Sequence, residues 1–193
     1  TLKTYTYSLE EGFNFVSFPF IIAGEDLMTG AGLLKNLNYN HNNLIYSISK
    51  YTGSWKIVGQ NTGVYDTHDF QLIPGQGYVI KSKADLEISI SGKPIQYEGP
   101  GDNAPISLIK GWNLIGLYGS GVKSYTAKSL LEDINAFTEI EFEANNVSRW
   151  ESDVQRYDGF QVDEVNGSKM EYGFDFPINL LQSYFVRVEE GSG

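Results

Sequence analysis

The stretch GFNFVSFPF, from Gly12 to Phe20, returns as GWNLIGLYG from Gly111 to Gly119. Both read Gly, aromatic, Asn, then a short apolar run that stops at a breaker. Setting Asn14 on Asn113 gives an offset of 99 residues, and Phe13 then meets Trp112, Val16 meets Ile115 and Phe18 meets Leu117. Further phrases follow in the same order. GAGLLKNL (Gly30 to Leu37) meets AKSLLEDI (Ala127 to Ile134), and ISKY (Ile48 to Tyr51) meets VSRW (Val147 to Trp150). Phe70 then meets Phe176, and QGYVIK (Gln76 to Lys81) meets QSYFVR (Gln182 to Arg187). The second copy has gained residues by that point, around DGFQVDEVNGSKMEYG. An ordered set of matches is the signature of tandem copies of one unit of about 90 residues. The division reads as repeat module 1 over 1–95, a linker over 96–105 and repeat module 2 over 106–193. The linker, QYEGPGDNAP, carries Gly, Pro and acidic residues without periodicity.

Each copy has one grammar. The opening strand is apolar on both sides, with Phe13 and Phe15 on one and Val16, Phe18 and Phe20 on the other. That pattern predicts a central strand covered twice. Pro19 ends the strand in copy one, and Gly119 and Gly121 end it in copy two. A short helix follows, with Leu33, Leu34 and Leu37 in one copy and Leu130, Leu131 and Ile134 in the other, the latter N-capped by Thr126. Next comes a hairpin, YSISKYTGSWKIVG around Thr52-Gly53-Ser54, matched by VSRWESDVQRYDG, where Asp158-Gly159 reads as a turn. A closing strand, GYVIK or SYFVRV, ends the unit; in copy one it follows a Pro74-Gly75 turn. Copy one alone continues into ADLEISISGKPI, an alternating strand. Either the parent chain continues past copy two, or the copies share that strand. The expected fold is mainly β: two tandem small β-sandwich or barrel-like modules, each with one short α-helix.

Composition sharpens the class. Tyr and Phe number 13 and 11, which suits strands and binding faces. A net charge of −10 repels phosphate backbones and anionic lipid, so nucleic acid and membrane surfaces are unfavourable partners. The absence of cysteine excludes disulfides, thiolate metal sites and a Cys nucleophile. No apolar run approaches the roughly 20 residues a membrane-spanning helix needs. A start at Thr1 reads as a mature chain or an excised fragment.

The phrases GWNLIG, AKSLLEDI, VSRW and FPI…SYFVRV together resemble a tandem repeat module of secreted and surface-anchored, S-layer-like archaeal and bacterial proteins. The likeness covers nearly all of Lys110 to Val188 and, more loosely, the first copy, where Phe13 and Tyr51 replace tryptophans. It implies an extracellular or cell-surface, multi-domain setting beside adhesive regions, and it brings no catalytic motif. Ser183 stands where the pattern has Gly, which puts the shape of the preceding turn in question.

Candidate sites are few. His68 lies beside Asp66 and Asp69, a set that could form a base–acid pair or a metal site, or be a solvated loop. Copy two has no histidine, so a chemistry shared by both copies cannot depend on one. There is no nucleophile elbow, P-loop or zinc motif. Asp153, Asp158, Asp163 and Glu164 offer oxygen ligands for Ca²⁺, but their spacing does not match an EF-hand, which favours a solvated acidic rim over a calcium site. Aromatics are the remaining lead. Trp55 sits at a hairpin tip with no matching Trp in the other copy, near Tyr46, Tyr51, Tyr65 and Tyr157, whereas Trp112 and Trp150 read as core. Exposed rings beside polar groups stack on sugars or fill partner pockets.

The expected role is a non-catalytic structural or adhesion module, with no cofactor beyond a possible Ca²⁺, that binds a protein or glycan partner alongside other domains of its parent chain. Alternatives are a carbohydrate-binding module of a secreted hydrolase, and a small hydrolase using His68 with Asp66 or Asp69.

Overall fold

A computed structural model describes residues 1–60, 69–95, 106–119, 124–137 and 142–190. The first half holds β1 (Lys3–Leu9), β2 (Gly12–Ser17), β3 (Phe20–Ile22), a 3-10 turn (Glu25–Leu27) and α1 (Gly30–Asn40). It continues with β4 (Ile45–Tyr51), β5 (Trp55–Gly59), β6 (Gly77–Ser82) and β7 (Leu86–Pro94). The second half holds β8 (Gly111–Ile115), α2 (Ala127–Phe137), β9 (Phe142–Glu151), β10 (Arg156–Val165), β11 (Ser168–Gly173) and β12 (Tyr184–Glu190).

The repeated phrase has a local physical cause. Gly12 and Gly111 both take positive φ, 103° and 93°, a conformation that side chains disfavour. The Asn two residues on then clasps the incoming turn. Asn14 Oδ1 accepts from Glu10 N at 2.9 Å, and its Nδ2 donates to Glu10 O at 2.8 Å. Asn113 does the same with Ile109, at 2.9 and 2.8 Å. Each Nδ2 also reaches a carbonyl of the closing strand, Ile80 or Val186, at 3.4 Å. Both asparagines are buried, where an unpaired amide would be costly.

Other contacts also occur twice. Tyr78 and Tyr184 stack on Phe70 and Phe176 with ring centroids 6.1 Å apart in each pair. Their hydroxyls accept the backbone N–H of Ile73 and Asn179, both at 2.7 Å. The latch recurs in the turn before Ser183, but the backbone there differs: Gly75 takes a φ of 87°, whereas Leu181 at the equivalent position does not take positive φ. Asn38 and Asn135, at the ends of the two helices, each bond both backbone groups of a strand residue, Ile45 and Ala144. The helices bury the leucines that periodicity picked out: Leu33, Leu34 and Leu37 in α1, Leu130 and Leu131 in α2. Thr126 and Ser129 cap α2 reciprocally: Ser129 Oγ accepts from Thr126 N at 2.9 Å and Thr126 Oγ1 from Ser129 N at 3.3 Å.

The strands form three antiparallel sheets, ordered β1-β7-β3, β2-β6-β4-β5 and β11-β10-β9-β12-β8. The first two, with α1 packed on β4 and β5, share one core, in which Leu9, Phe20, Ile88 and Ile90 meet Val16, Ile48, Ile80 and Leu34. The first half is thus sandwich-like. The second half is one open sheet with α2 on one face, packed through Val147, Phe160, Phe176, Tyr184 and Val186. None of these sheets closes into a barrel.

Three expectations change. The opening strands β2 and β8 are edge strands, not central ones. They are apolar on both sides because one face packs on the copy's own core and the other on the opposite copy. The β7 strand is not shared: it pairs with β1 and β3 of its own half. Asp158-Gly159 is no turn but lies inside β10, where Asp158 pairs with Arg149 across the ladder. The tight turn instead falls at Asn166-Gly167, both at positive φ, which adds β11 to the sheet edge.

Candidate functional site

The outer faces of the two larger sheets meet. Their contact is a cluster of Phe15, Val79 and Leu114 with Tyr51, Trp150 and Phe185 packed around it. These six residues are three repeat-equivalent pairs: Phe15 with Leu114, Val79 with Phe185, and Tyr51 with Trp150. Backbone contacts across the interface are paired likewise. Val16 bridges Gln182, and Ile115 bridges Gln76. Ser17 N donates to Leu181 O at 2.9 Å, and Gly116 N donates to Gly75 O at 3.2 Å. An interface in which one patch meets its own counterpart is that of a two-fold dimer, here within one chain.

The symmetry breaks at the hairpins. Tyr51 pairs with Trp55 across the β4–β5 ladder, and Trp150 pairs with Tyr157 across β9–β10. Tyr157 is therefore the structural counterpart of Trp55. Three residues separate the first pair and six the second. The longer turn reaches over the opposite copy. Gln155 Oε1 accepts from Phe13 N at 2.8 Å, its Nε2 donates to Phe13 O at 3.2 Å, and Trp150 Nε1 donates to the same carbonyl at 2.7 Å. The short Thr52-Gly53-Ser54 turn makes no such clamp on β8. An open cavity of about 380 Å³ lies there instead, between Tyr51, Thr52 and Gly53 on one side and Trp112 and Asn113 on the other.

A second open cavity, about 370 Å³, adjoins it and is lined by Tyr51, Trp112, Ser148, Tyr157 and Phe185. Tyr51 and Trp112 border both cavities, so the two form one aromatic groove. Phe185 is its hub. Ring centroids lie from it at 5.4 Å for Tyr51, 5.9 Å for Trp112, 6.2 Å for Trp55 and 6.2 Å for Tyr157. Trp55, Trp112 and Tyr157 remain 45%, 38% and 50% exposed. Partial burial raises the Tyr157 pKa, so its hydroxyl is a neutral donor at physiological pH.

Of the aromatics singled out from sequence, Tyr51, Trp55 and Tyr157 converge here. Tyr46 does not line the groove; it lies under the Lys81 ammonium, 5.1 Å from its ring centroid. Tyr65 lies outside the described residues. Trp112, expected in the core, faces the groove because it shares a strand side with Leu114 while Ile115 takes the core side. Sequence reading missed Trp112 and Phe185 as site residues. Their alternation was visible, but which side faced a partner repeat was not.

The acidic residues do not gather. Asp153 is exposed in the β9–β10 turn. Asp158 lies 3.4 Å from Arg149, and Asp163 accepts from Gln161 Nε2 at 2.7 Å. Glu164 alternates to the other side of β10, opposite Lys169. Among the described residues no three His, Asp or Glu side chains come together around a metal-sized space. Asp66 and His68 lie outside the described residues. Asp69 accepts the Ala31 and Phe70 N–H groups, both at 2.8 Å, at the start of α1, as Asp175 does for Lys128 N at 2.9 Å in α2. A carboxylate there answers the helix's free N–H groups.

Comparison with protein-family models, curated proteins and solved structures finds no match to this chain.

Proposed function

We propose that this chain is a non-catalytic structural and adhesion module of an extracellular or cell-surface protein, and that the groove between its repeats holds a protein or glycan partner. The observation that carries this reading is the groove itself. Rings from both repeats surround Phe185, yet Trp55, Trp112 and Tyr157 stay about half exposed. Large aromatics are ordinarily far better covered, and an exposed cluster in a concavity marks a contact surface. The surface-protein setting rests on the resemblance of the repeated phrases.

The test is a glycan and surface-protein array probed with the intact chain, in calcium and again in EDTA, beside Trp55→Ala and Trp112→Ala. Selective binding lost in both variants supports the groove. Binding lost with EDTA adds calcium to the site. A blank array, or binding that both variants retain, overturns the groove reading.

A further inference from the structure

We infer that the partner is a neutral linear glycan that crosses the strands of the β8–β12 sheet, with one sugar ring seated in the groove. This rests on the groove being the binding site and names its ligand class.

The observation is a row of register partners that continues from the groove over the whole sheet. Trp112 on β8 pairs with Arg187 on β12, Arg187 with Asn146 on β9, Asn146 with Gln161 on β10, and Gln161 with Tyr172 on β11. Residues in one such row share a sheet face. The face is the groove's own: Ser148 and Phe185 stand two positions from Asn146 and Arg187. At ~4.8 Å per strand the row runs about 19 Å from Trp112 to Tyr172, longer than one sugar. An aromatic ring stands at each end, and Tyr172 is exposed.

The middle of the row is built from oriented amides. Ser148 Oγ donates to Asn146 Oδ1 at 2.8 Å, Asn146 Nδ2 donates to Gln161 Oε1 at 3.3 Å, and Gln161 Nε2 donates to Asp163 at 2.7 Å. Gln161 Nε2 also donates to the other Asp163 oxygen at 2.8 Å, so the second N–H that faces a ligand is that of Asn146, while both amide carbonyls keep a second lone pair. A donor and an acceptor side by side, held in fixed orientation, match the vicinal hydroxyls of a sugar. Gly159, beside Ser148 in the adjoining row, puts no side chain above the floor. The electrostatics select a neutral chain. Arg187 is already paired with Glu189 at 2.6 Å, and the protein carries −10 overall, which repels a polyanion.

The experiment titrates the intact chain with β-linked glucose, mannose and xylose oligosaccharides, from disaccharide to hexasaccharide. Calorimetry and tryptophan fluorescence read the binding. Affinity should rise with length for at least one sugar type. Gln161→Ala and Asn146→Ala should each weaken the hexasaccharide about fivefold to tenfold, the scale of one neutral hydrogen bond, and Gln161→Ala, the farther from the groove, should leave the disaccharide unchanged. Trp112→Ala should weaken both, and an acidic oligogalacturonate should bind more weakly. Melting curves of the amide variants should match the parent. No hexasaccharide binding, length-independent binding, or equal binding of the oligogalacturonate overturns the inference. If a proline-rich peptide binds instead and Trp112→Ala abolishes it, the glycan class fails while the groove stands. If Trp112→Ala changes neither ligand, both fail.

Discussion

Ser17 and Gly116 occupy the same position in the two repeats and press against each other at their interface. A Cβ built on Gly116 would fall inside the Ser17 side chain. A residue on a two-fold axis meets its own counterpart, so only one of the pair can carry a side chain. Gly77 and Ser183 repeat the arrangement, with a Gly77 Cβ only 2.6 Å from Ser183 Cβ. The interface is therefore fitted to pairing of unlike copies: two first repeats would set Ser17 against Ser17.

Gly116→Ala should lower stability to urea by about 1–3 kcal/mol, as overpacking does. Adding Ser17→Gly should recover most of the loss. With that side chain gone, the nearest atom to the new methyl is Gln76 O at 3.5 Å. The Ser17 hydroxyl has no hydrogen-bond partner among the described residues, so its removal costs little beyond glycine's added chain entropy. Additive effects of the two substitutions would contradict the axis contact.

Asn14→Ala and Asn113→Ala should cost similar amounts, about 1–3 kcal/mol each, because each strands the same turn N–H and carbonyls. Urea midpoints of the two variants check this. A large cost at one site only would mean that the clasps are not equivalent.

Both helices, the hairpin around Gly53 and the closing strands were legible because each rests on local periodicity or a breaker. The groove was not, for two physical reasons. An edge strand sandwiched between copies is apolar on both sides, as a central strand is, so β8 hid the outward face of Trp112. The three added residues in the second hairpin shift the alignment, so Tyr157 did not register as the counterpart of Trp55. A row such as Asn146–Gln161 exists only once strand register is known.

The groove exists because the first hairpin is short. Replacing Thr52–Ser54 with the six residues Glu151–Arg156 should extend that turn over β8. The grafted chain should keep its melting temperature and lose binding at the groove. Retained binding would show that the gap beside Trp112 is not where the ligand sits.

Alkaline pH should unfold the chain through its buried phenols. Burial pushes Tyr184 up to about 12 and raises Tyr78 further. The folded state holds protons that the unfolded chain releases near pH 10. The associated stability is intact below about pH 10 and falls as pH climbs toward 12. Tyr184→Phe should be less stable at neutral pH, having lost the latch to Asn179 N, and should show a shallower alkaline decline. Urea titrations at several pH values measure both.

The protein has three tryptophans, and they divide across the interface in a way that tests the groove directly. Trp112 lines it and Trp55 packs edge-on against its hub Phe185, while Trp150 is stacked on Phe15 and donates its indole N–H to Phe13 O. The measurement is a proton–nitrogen spectrum of the three indole N–H groups during titration with the neutral hexasaccharides. The Trp55 and Trp112 signals should move together and saturate while the Trp150 signal stays in place. Signals that all stay fixed, or a shift confined to Trp150, would contradict a binding groove between the repeats.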